Sequence, residues 1–197
     1  MIGLGAQAAA DPVKLVALGD SLTAGYGLAE EEGFVPQLDA WLEAQGRGDV
    51  EVINMGVSGD TTAGGLARLD WALGGGGDAV LVELGGNDML RGIDPAVSRE
   101  NLDQLMAGIA ERGLPVLISG MQAPGNFGPE YQGDFNAMYP ELAVKYGAVY
   151  DPFFLEGLMG EPSLWQEDGI HPNAEGVSRI VERIGPRVLE LLDRVPE

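Results

Sequence analysis

Three residues have the types and spacing that acyl-transfer chemistry requires: Ser21, Asp168 and His171. A serine hydroxyl is a weak nucleophile until a base removes its proton, and His171 is the only histidine in the chain. Asp168 stands three residues before it, close enough for its carboxylate to hold Nδ1 and leave Nε2 free as the base. We therefore predict a nucleophile, an orienting acid and a base. A structural role for a lone histidine is the alternative.

These residues need a scaffold, and the pattern of apolar residues predicts one. Apolar, β-branched runs indicate strands at 13–18, 50–55, 79–84, 115–119 and 148–151, with helical patterns between them. Continuous apolar strands are typical of a parallel sheet covered on both faces. The predicted fold class is α/β, a three-layer α/β/α sandwich with a central five-stranded parallel sheet.

Several helix boundaries follow from the same pattern. Leu102, Leu105, Met106 and Ile109 lie on one helix face, and Gly113 ends that segment. A final helix carries apolar residues from 177 to 192, with a kink or a break expected at Pro186. The glycines at 74–77 end another helix, and the segment 122–133, rich in Gly and Pro, is the best candidate for a mobile surface loop.

Polar residues follow the first three predicted strands, where open parallel sheets bind ligands. Ser21 follows the first strand, so its backbone N–H can face an anion, although helix capping by Asp20 or Ser21 explains this segment equally well. Gly59 follows the second strand and Asn87 the third. We predict that Ser21, Gly59 and Asn87 supply three donors to an oxyanion.

Two structural alternatives remain open for these donors. Asp60 or Thr61 can cap a strand-to-helix turn at Gly59, and an Asx-type turn accounts for the Asn between glycines and Asp88.

The segments also resemble the four sequence blocks of the SGNH, or GDSL, hydrolase family. They are Gly-Asp-Ser-Leu at 19–22, Gly59, Gly-Gly-Asn-Asp at 85–88 and Asp-Gly-Ile-His-Pro at 168–172. Sequence outside the blocks is most similar to the family's bacterial thioesterase I, lysophospholipase and arylesterase group. The resemblance implies a flavodoxin-like sandwich, no metal cofactor, and hydrolysis of acyl esters or thioesters. It also implies that the loop 121–134 borders the acyl site.

Four apolar side chains are candidates for the acyl pocket. Met121 and Phe127 are the predicted substrate-binding residues, and Met89 and Phe153 are further candidates. Packing in the hydrophobic core is the alternative for each of them.

Charge and composition indicate which classes of molecule the protein can bind. The chain has 31 acidic and 11 basic residues, a net charge of −20, and no cysteine. Such a surface repels nucleic acids, anionic lipids and the phosphates of coenzyme A. We expect a small-molecule ester or thioester substrate, no nucleic-acid partner, no stable membrane insertion, and a monomer or small homo-oligomer. One histidine and no cysteine leave only carboxylates for a metal, and no nucleotide-binding motif is present.

The N-terminal segment is predicted to be separate from the folded domain. Residues 1–12 are predicted to be a disordered arm or the remnant of a signal peptide, because Ala-Gln-Ala at 6–8 and Ala-Ala-Ala at 8–10 resemble cleavage sites. Residues 13–197 are predicted to form a single domain. A signal-peptide remnant would favour a periplasmic or secreted protein, with the cytoplasm as the alternative.

Two other functions fit the same scaffold. A carbohydrate O-deacetylase uses the same chemistry on polar substrates, and a binding module without activity would keep only the fold.

Overall fold

The central layer is a parallel sheet of five strands. The computed structural model describes residues 11–196, and its strand order is β2-β1-β3-β4-β5. The strands are β1 (Val13–Gly19), β2 (Val50–Gly56), β3 (Ala79–Glu83), β4 (Val116–Ser119) and β5 (Val149–Asp151). Each boundary lies within one residue of the prediction, and the predicted fold class is confirmed. Residues 1–10 of the predicted N-terminal arm lie outside the described residues.

Helices cover the sheet on both sides. They are α1 (Ser21–Ala24), α2 (Phe34–Ala44), α3 (Thr62–Ala67), α4 (Leu69–Leu73), α5 (Gly86–Leu90), α6 (Pro95–Glu111), α7 (Pro129–Tyr146) and α8 (Ala174–Leu192). In the layers, α2 packs against α8, and α6 packs against α3 and α7. Within residues 11–196, no helix combines the length and hydropathy that crossing a bilayer requires.

Two boundary predictions differ from the structure. Of the kink or break predicted at Pro186, the break does not form, because α8 runs through that residue as one helix and carries a continuous apolar stripe against the core. The segment 122–133 is not all loop, since a 3-10 turn spans Gly125–Phe127 and α7 begins at Pro129. A proline fits the first turn of a helix, where its missing N–H has no partner to lose.

The strands end in register, and this positions everything that follows them. Gly19 pairs with Gly56 on one side and with Glu83 on the other. Glu83 in turn pairs with Ser119, and Ser119 with Asp151. These five residues form one row across the sheet. The segments after all five strands therefore leave the sheet at the same edge.

A substitution at Gly56 tests how closely β2 approaches α1 at this edge of the sheet. A Cβ at residue 56 would lie 2.7 Å from the Cα of Ala24 and overlap its backbone nitrogen. We predict that Gly56→Ala lowers the free energy of unfolding by about 1–3 kcal/mol, measured by urea denaturation, because the α1 turn must shift. Gly75→Ala is the control, since a Cβ there meets nothing within 4 Å. Equal stabilities of the two variants would contradict the close approach of β2 to α1.

Candidate active site

Ser21 is the first residue of α1, directly beyond the end of β1. Asp20 caps this short helix: its Oδ1 accepts from the Leu22 N–H at 3.0 Å. Gly25 ends the helix in the left-handed conformation, with φ of 78°. α1 is therefore a short helix of four residues, with Ser21 at its start. Capping and the exposure of the Ser21 hydroxyl are not alternatives here, because Asp20 does the first and leaves Ser21 free.

His171 lies in hydrogen-bonding contact with Ser21 although 150 residues separate them. Its Nε2 is 2.9 Å from Ser21 Oγ, and its Nδ1 is 2.6 Å from Asp168 Oδ2. The other carboxylate oxygen accepts the backbone N–H groups of Ile170 (2.9 Å) and His171 (3.0 Å). The hydrogen bonds from the His171 backbone and ring, and then the bond from the Ile170 N–H, lower the pKa of Asp168 to about 2. The carboxylate is therefore ionised at neutral pH.

Two neighbours hold the His171 loop against the α1 segment. The Tyr26 ring packs on the imidazole, with ring centres 4.6 Å apart and planes tilted by 39°. The side chain of Gln166 donates to the carbonyls of Tyr26 (2.8 Å) and Pro172 (3.0 Å). These contacts fix the distance between the serine and the histidine. They were not predicted, because no local sequence pattern relates residue 26 to residue 166.

Asn87 lies in α5 and contacts Asp20, the residue before Ser21. Gly85 caps this helix with φ of 115°, and a side chain there would collide with the Tyr139 hydroxyl. The amide Nδ2 of Asn87 donates to Asp20 Oδ2 at 2.9 Å. Gly59 lies in the loop after β2 with φ of 83°, and its carbonyl accepts from Arg91 at 2.8 Å.

A small cavity lies in front of the serine. Its volume is about 200 Å³, and its wall combines the polar groups just described with apolar side chains. The lining residues are Asp20, Ser21, Leu22, Gly86, Asn87, Met89, Leu90, Met121, Leu155, Ile170 and His171.

The structure brings only some predicted pocket residues to this cavity. Met89 and Met121 line it, whereas Gly59 is not part of its wall. Phe127 lines a separate cavity of about 530 Å³ beside the start of α7 and stacks on Tyr131. Phe153 packs against the core. Phe127 is the last residue of the 3-10 turn Gly125–Phe127, and its predicted role in substrate binding stays a prediction.

Comparison with known proteins identifies the family. Residues 17–179 match the GDSL-like Lipase/Acylhydrolase family. The chain belongs to this family.

Named relatives share the GDSL-like sequence over nearly their whole length. The esterase TesA of Pseudomonas aeruginosa is 41% identical over 187 residues, which cover 94% of this chain and 92% of the relative. Thioesterase 1/protease 1/lysophospholipase L1 of Escherichia coli K12 is 36% identical over 196 residues, covering 94% and 87%. The crystal structure of AlinE4, an SGNH-hydrolase family esterase, superposes with a TM-score of 0.78 at 42% identity, covering 93% and 98%.

The GDSL-like site contains a buried carboxyl group that sequence analysis missed. Glu83, the last residue of β3, is fully buried, and its Oε2 accepts from the Thr23 hydroxyl at 2.9 Å. Burial, followed by the nearby charge of Asp20, raises the pKa of Glu83 well above its usual range. The sequence places Glu83 inside an apolar strand, so its position beside the serine segment is visible only in three dimensions.

Asp88, in the same GDSL-like block as Asn87, holds α5 in place. Its carboxylate accepts from the Thr62 backbone (2.8 Å) and hydroxyl (2.6 Å), and from the Ser98 hydroxyl (3.0 Å). These bonds tie α5 to α3 and α6. The block therefore combines a cavity-facing amide with a buried structural anchor.

Arg68 joins the ends of the first two strands. Its guanidinium donates to the carbonyls of Gly19 and Met55, both at 2.8 Å, and to Asp60 at 2.6 Å. The carboxylate balances the charge of this partly buried cation. Arg68 thus fixes the edge of the sheet from which the serine segment departs.

Proposed function

We propose that this chain hydrolyses carboxylic esters or thioesters through an acyl-enzyme on Ser21. The observation that carries the proposal is the chain of contacts from Ser21 Oγ to His171 Nε2 (2.9 Å) and from His171 Nδ1 to Asp168 (2.6 Å). Membership of the GDSL-like lipase/acylhydrolase family supports it, as does the similarity to the esterase TesA and to thioesterase 1/protease 1/lysophospholipase L1.

In the first half-reaction, Ser21 Oγ attacks the acyl carbonyl carbon while His171 Nε2 takes its proton. The carbonyl oxygen becomes an oxyanion, for which we propose the Ser21 N–H, an Asn87 amide N–H and the Gly59 N–H as donors. The tetrahedral intermediate then collapses, and His171 gives its proton to the departing alcohol or thiol. Asp168, ionised because its pKa is about 2, stabilises the imidazolium that exists between these steps.

In the second half-reaction, water replaces the alcohol or thiol. His171 removes a proton from the water as its oxygen attacks the acyl carbon, and the same donors hold the new oxyanion. Collapse breaks the bond to Ser21 Oγ, which recovers its proton from His171. The products are a carboxylic acid and the original enzyme.

The cavity favours short acyl or aryl groups. Apolar side chains of Met89, Leu90, Met121, Leu155 and Ile170 contribute most of its wall. Its volume of about 200 Å³ is below the roughly 300–1,000 Å³ typical of sites for drug-sized ligands. This apolar wall favours aryl and alkyl esters over acetylated sugars.

We also propose that the protein works outside the cytoplasm, as a monomer or small homo-oligomer. The small-residue pattern at 6–10 supports export.

Replacing the nucleophile tests the mechanism. We predict that Ser21→Ala lowers kcat for p-nitrophenyl acetate and butyrate by about 10⁴-fold or more, because the acyl-enzyme does not form. Ser163→Ala, at an exposed serine, is the matched control and keeps wild-type turnover.

The same panel of substrates includes an acetylated sugar and an acyl thioester. Near-normal turnover by folded Ser21→Ala would refute the mechanism, and cleavage of the sugar ester alone would indicate a deacetylase.

The net charge of −20 gives a second prediction. Raising the ionic strength from about 0.01 M to about 0.15 M shortens the Debye length from about 30 Å to about 8 Å. We expect kcat/KM for an acyl-coenzyme A to rise by about 3–10-fold over this range, because screening removes the repulsion between protein and phosphates. The kcat/KM for a neutral p-nitrophenyl ester serves as control and stays constant. No rise for the charged substrate would show that surface charge does not govern its approach.

A further inference from the structure

Two buried carboxyl groups lie behind the proposed nucleophile. Asp20 is 2% exposed and Glu83 is fully buried. They are close neighbours, because the Asp20 N–H donates to Glu83 Oε2 at 3.4 Å. The mechanism above uses neither of them.

No cation compensates this pair among its hydrogen-bond partners in residues 11–196. The contrast is Asp151, the buried carboxylate at the end of β5, which is paired with Arg183 and lies 3.5 Å from Arg187. Two adjacent buried carboxylates without such a partner would be costly to ionise together. One proton between Asp20 and Glu83 removes most of that cost.

The hydrogen bonds indicate which group holds the proton. Asp20 accepts with both oxygens, from the Leu22 N–H at 3.0 Å and from Asn87 Nδ2 at 2.9 Å, as an ionised carboxylate does. Glu83 accepts only at Oε2, and its Oε1 is buried without a partner among the described residues. Glu83 is therefore the better site for the proton.

The charge on Asp20 has a consequence for Asn87. An ionised carboxylate can accept hydrogen bonds but cannot donate one, so Asp20 bonds the NH₂ end of the Asn87 amide and not its oxygen. One N–H is used in that bond, and the second is left for the cavity beside Ser21. A protonated Asp20 could instead donate to the amide oxygen and turn the wrong end of Asn87 toward a developing oxyanion.

We propose that Asp20 and Glu83 are positioning residues that share one proton, held by Glu83, so that the charge on Asp20 locks the Asn87 amide with an N–H facing the bound ester. The inference rests on the proposed function for its effect on turnover, but the location of the proton does not depend on it. Gly19 fits this arrangement. A Cβ at residue 19 would lie 2.8 Å from Glu83 Oε2 and 2.7 Å from the Cβ of Thr23, so only glycine leaves room for the pair.

A double-mutant cycle tests the link to Asn87. Asparagine caps a helix as well as aspartate, so Asp20→Asn preserves the α1 cap while removing the charge. Loss of one oxyanion donor costs about 10²–10³-fold in kcat, and we expect that loss for Asn87→Ala and about 10–100-fold for Asp20→Asn, with KM nearly unchanged. In the Asn87→Ala background, Asp20→Asn should add less than about threefold, because both changes remove one donor.

The remaining variants complete this cycle. Glu83→Gln imitates the protonated acid and should keep at least about ten times the kcat of Asp20→Asn. Asp193→Asn, at an exposed residue after α8, is the matched control and stays at the wild-type rate. Additive losses at residues 20 and 87, a fully active Asp20→Asn, or equal losses for Glu83→Gln and Asp20→Asn would each overturn the proposal.

The proton itself is tested without any substrate. Below pH of about 4.5, Glu83 is protonated in both the folded and the unfolded chain, since 4.5 is its ordinary pKa. Above it, the unfolded chain releases the proton and the folded chain keeps it, because the folded pKa is raised. The free energy of unfolding of the wild type should therefore fall relative to that of Glu83→Gln as pH rises.

Urea denaturation from pH 5 to pH 8 measures this difference. We expect the ratio of the two unfolding constants to change by up to about tenfold per pH unit. The other titratable groups near the pair are Tyr139 and His171, and both are present in both proteins, as is Asp20. Glu111→Gln, at an exposed residue of α6, is the control and gives a constant difference.

The two measurements separate the two proposals. A ratio that does not change with pH would show that Glu83 is ionised and would overturn the shared proton. A pH-dependent ratio in a protein that hydrolyses no ester would leave the proton pair standing and refute only the proposed function.

Discussion

The five strands end in one row, and the site depends on that constraint. Because β1 and β3 pair Gly19 with Glu83, the serine segment and the asparagine segment leave the sheet side by side. The histidine reaches this edge from far along the chain, in a turn closed by Asp168 and fastened to Tyr26 through Gln166. No single segment forms the site. The parallel register brings together side chains from distant parts of the sequence, none of which could act without the others.

The carboxyl groups at this edge differ in burial and in the contacts that stabilise them. Asp88 is surrounded by three donors, and Asp151 is paired with arginine. Asp168 is partly open to solvent and is stabilised as an anion by the His171 turn. Only Asp20 and Glu83 are buried together without a cation among their hydrogen-bond partners in the described part of the chain. That difference singles out the pair as a candidate for a role beyond packing.

Sequence predicted the scaffold well because strands buried on both faces leave a continuous apolar pattern. Ser21 and Asn87 were candidates because each follows a strand that the pattern located, and His171 because it is the only histidine and stands three residues after Asp168. α8 does not break at Pro186, because tertiary packing along its apolar stripe outweighs the one hydrogen bond that proline removes. Phe127 lies in the 3-10 turn before α7 and lines a different cavity, and its role in substrate binding stays a prediction. Glu83 was missed because a carboxyl inside an apolar strand shows no local sign of its neighbours.

The central claim is that His171 activates the Ser21 hydroxyl, and covalent labelling measures this most directly. A fluorophosphonate ester reacts only with an activated serine, and peptide mass spectrometry locates the adduct. The account predicts a single adduct on Ser21 in the wild type, and labelling slowed by several orders of magnitude in His171→Ala with the fold intact. A folded wild type that stays unlabelled, an adduct on another residue, or equal labelling rates in both proteins would contradict it.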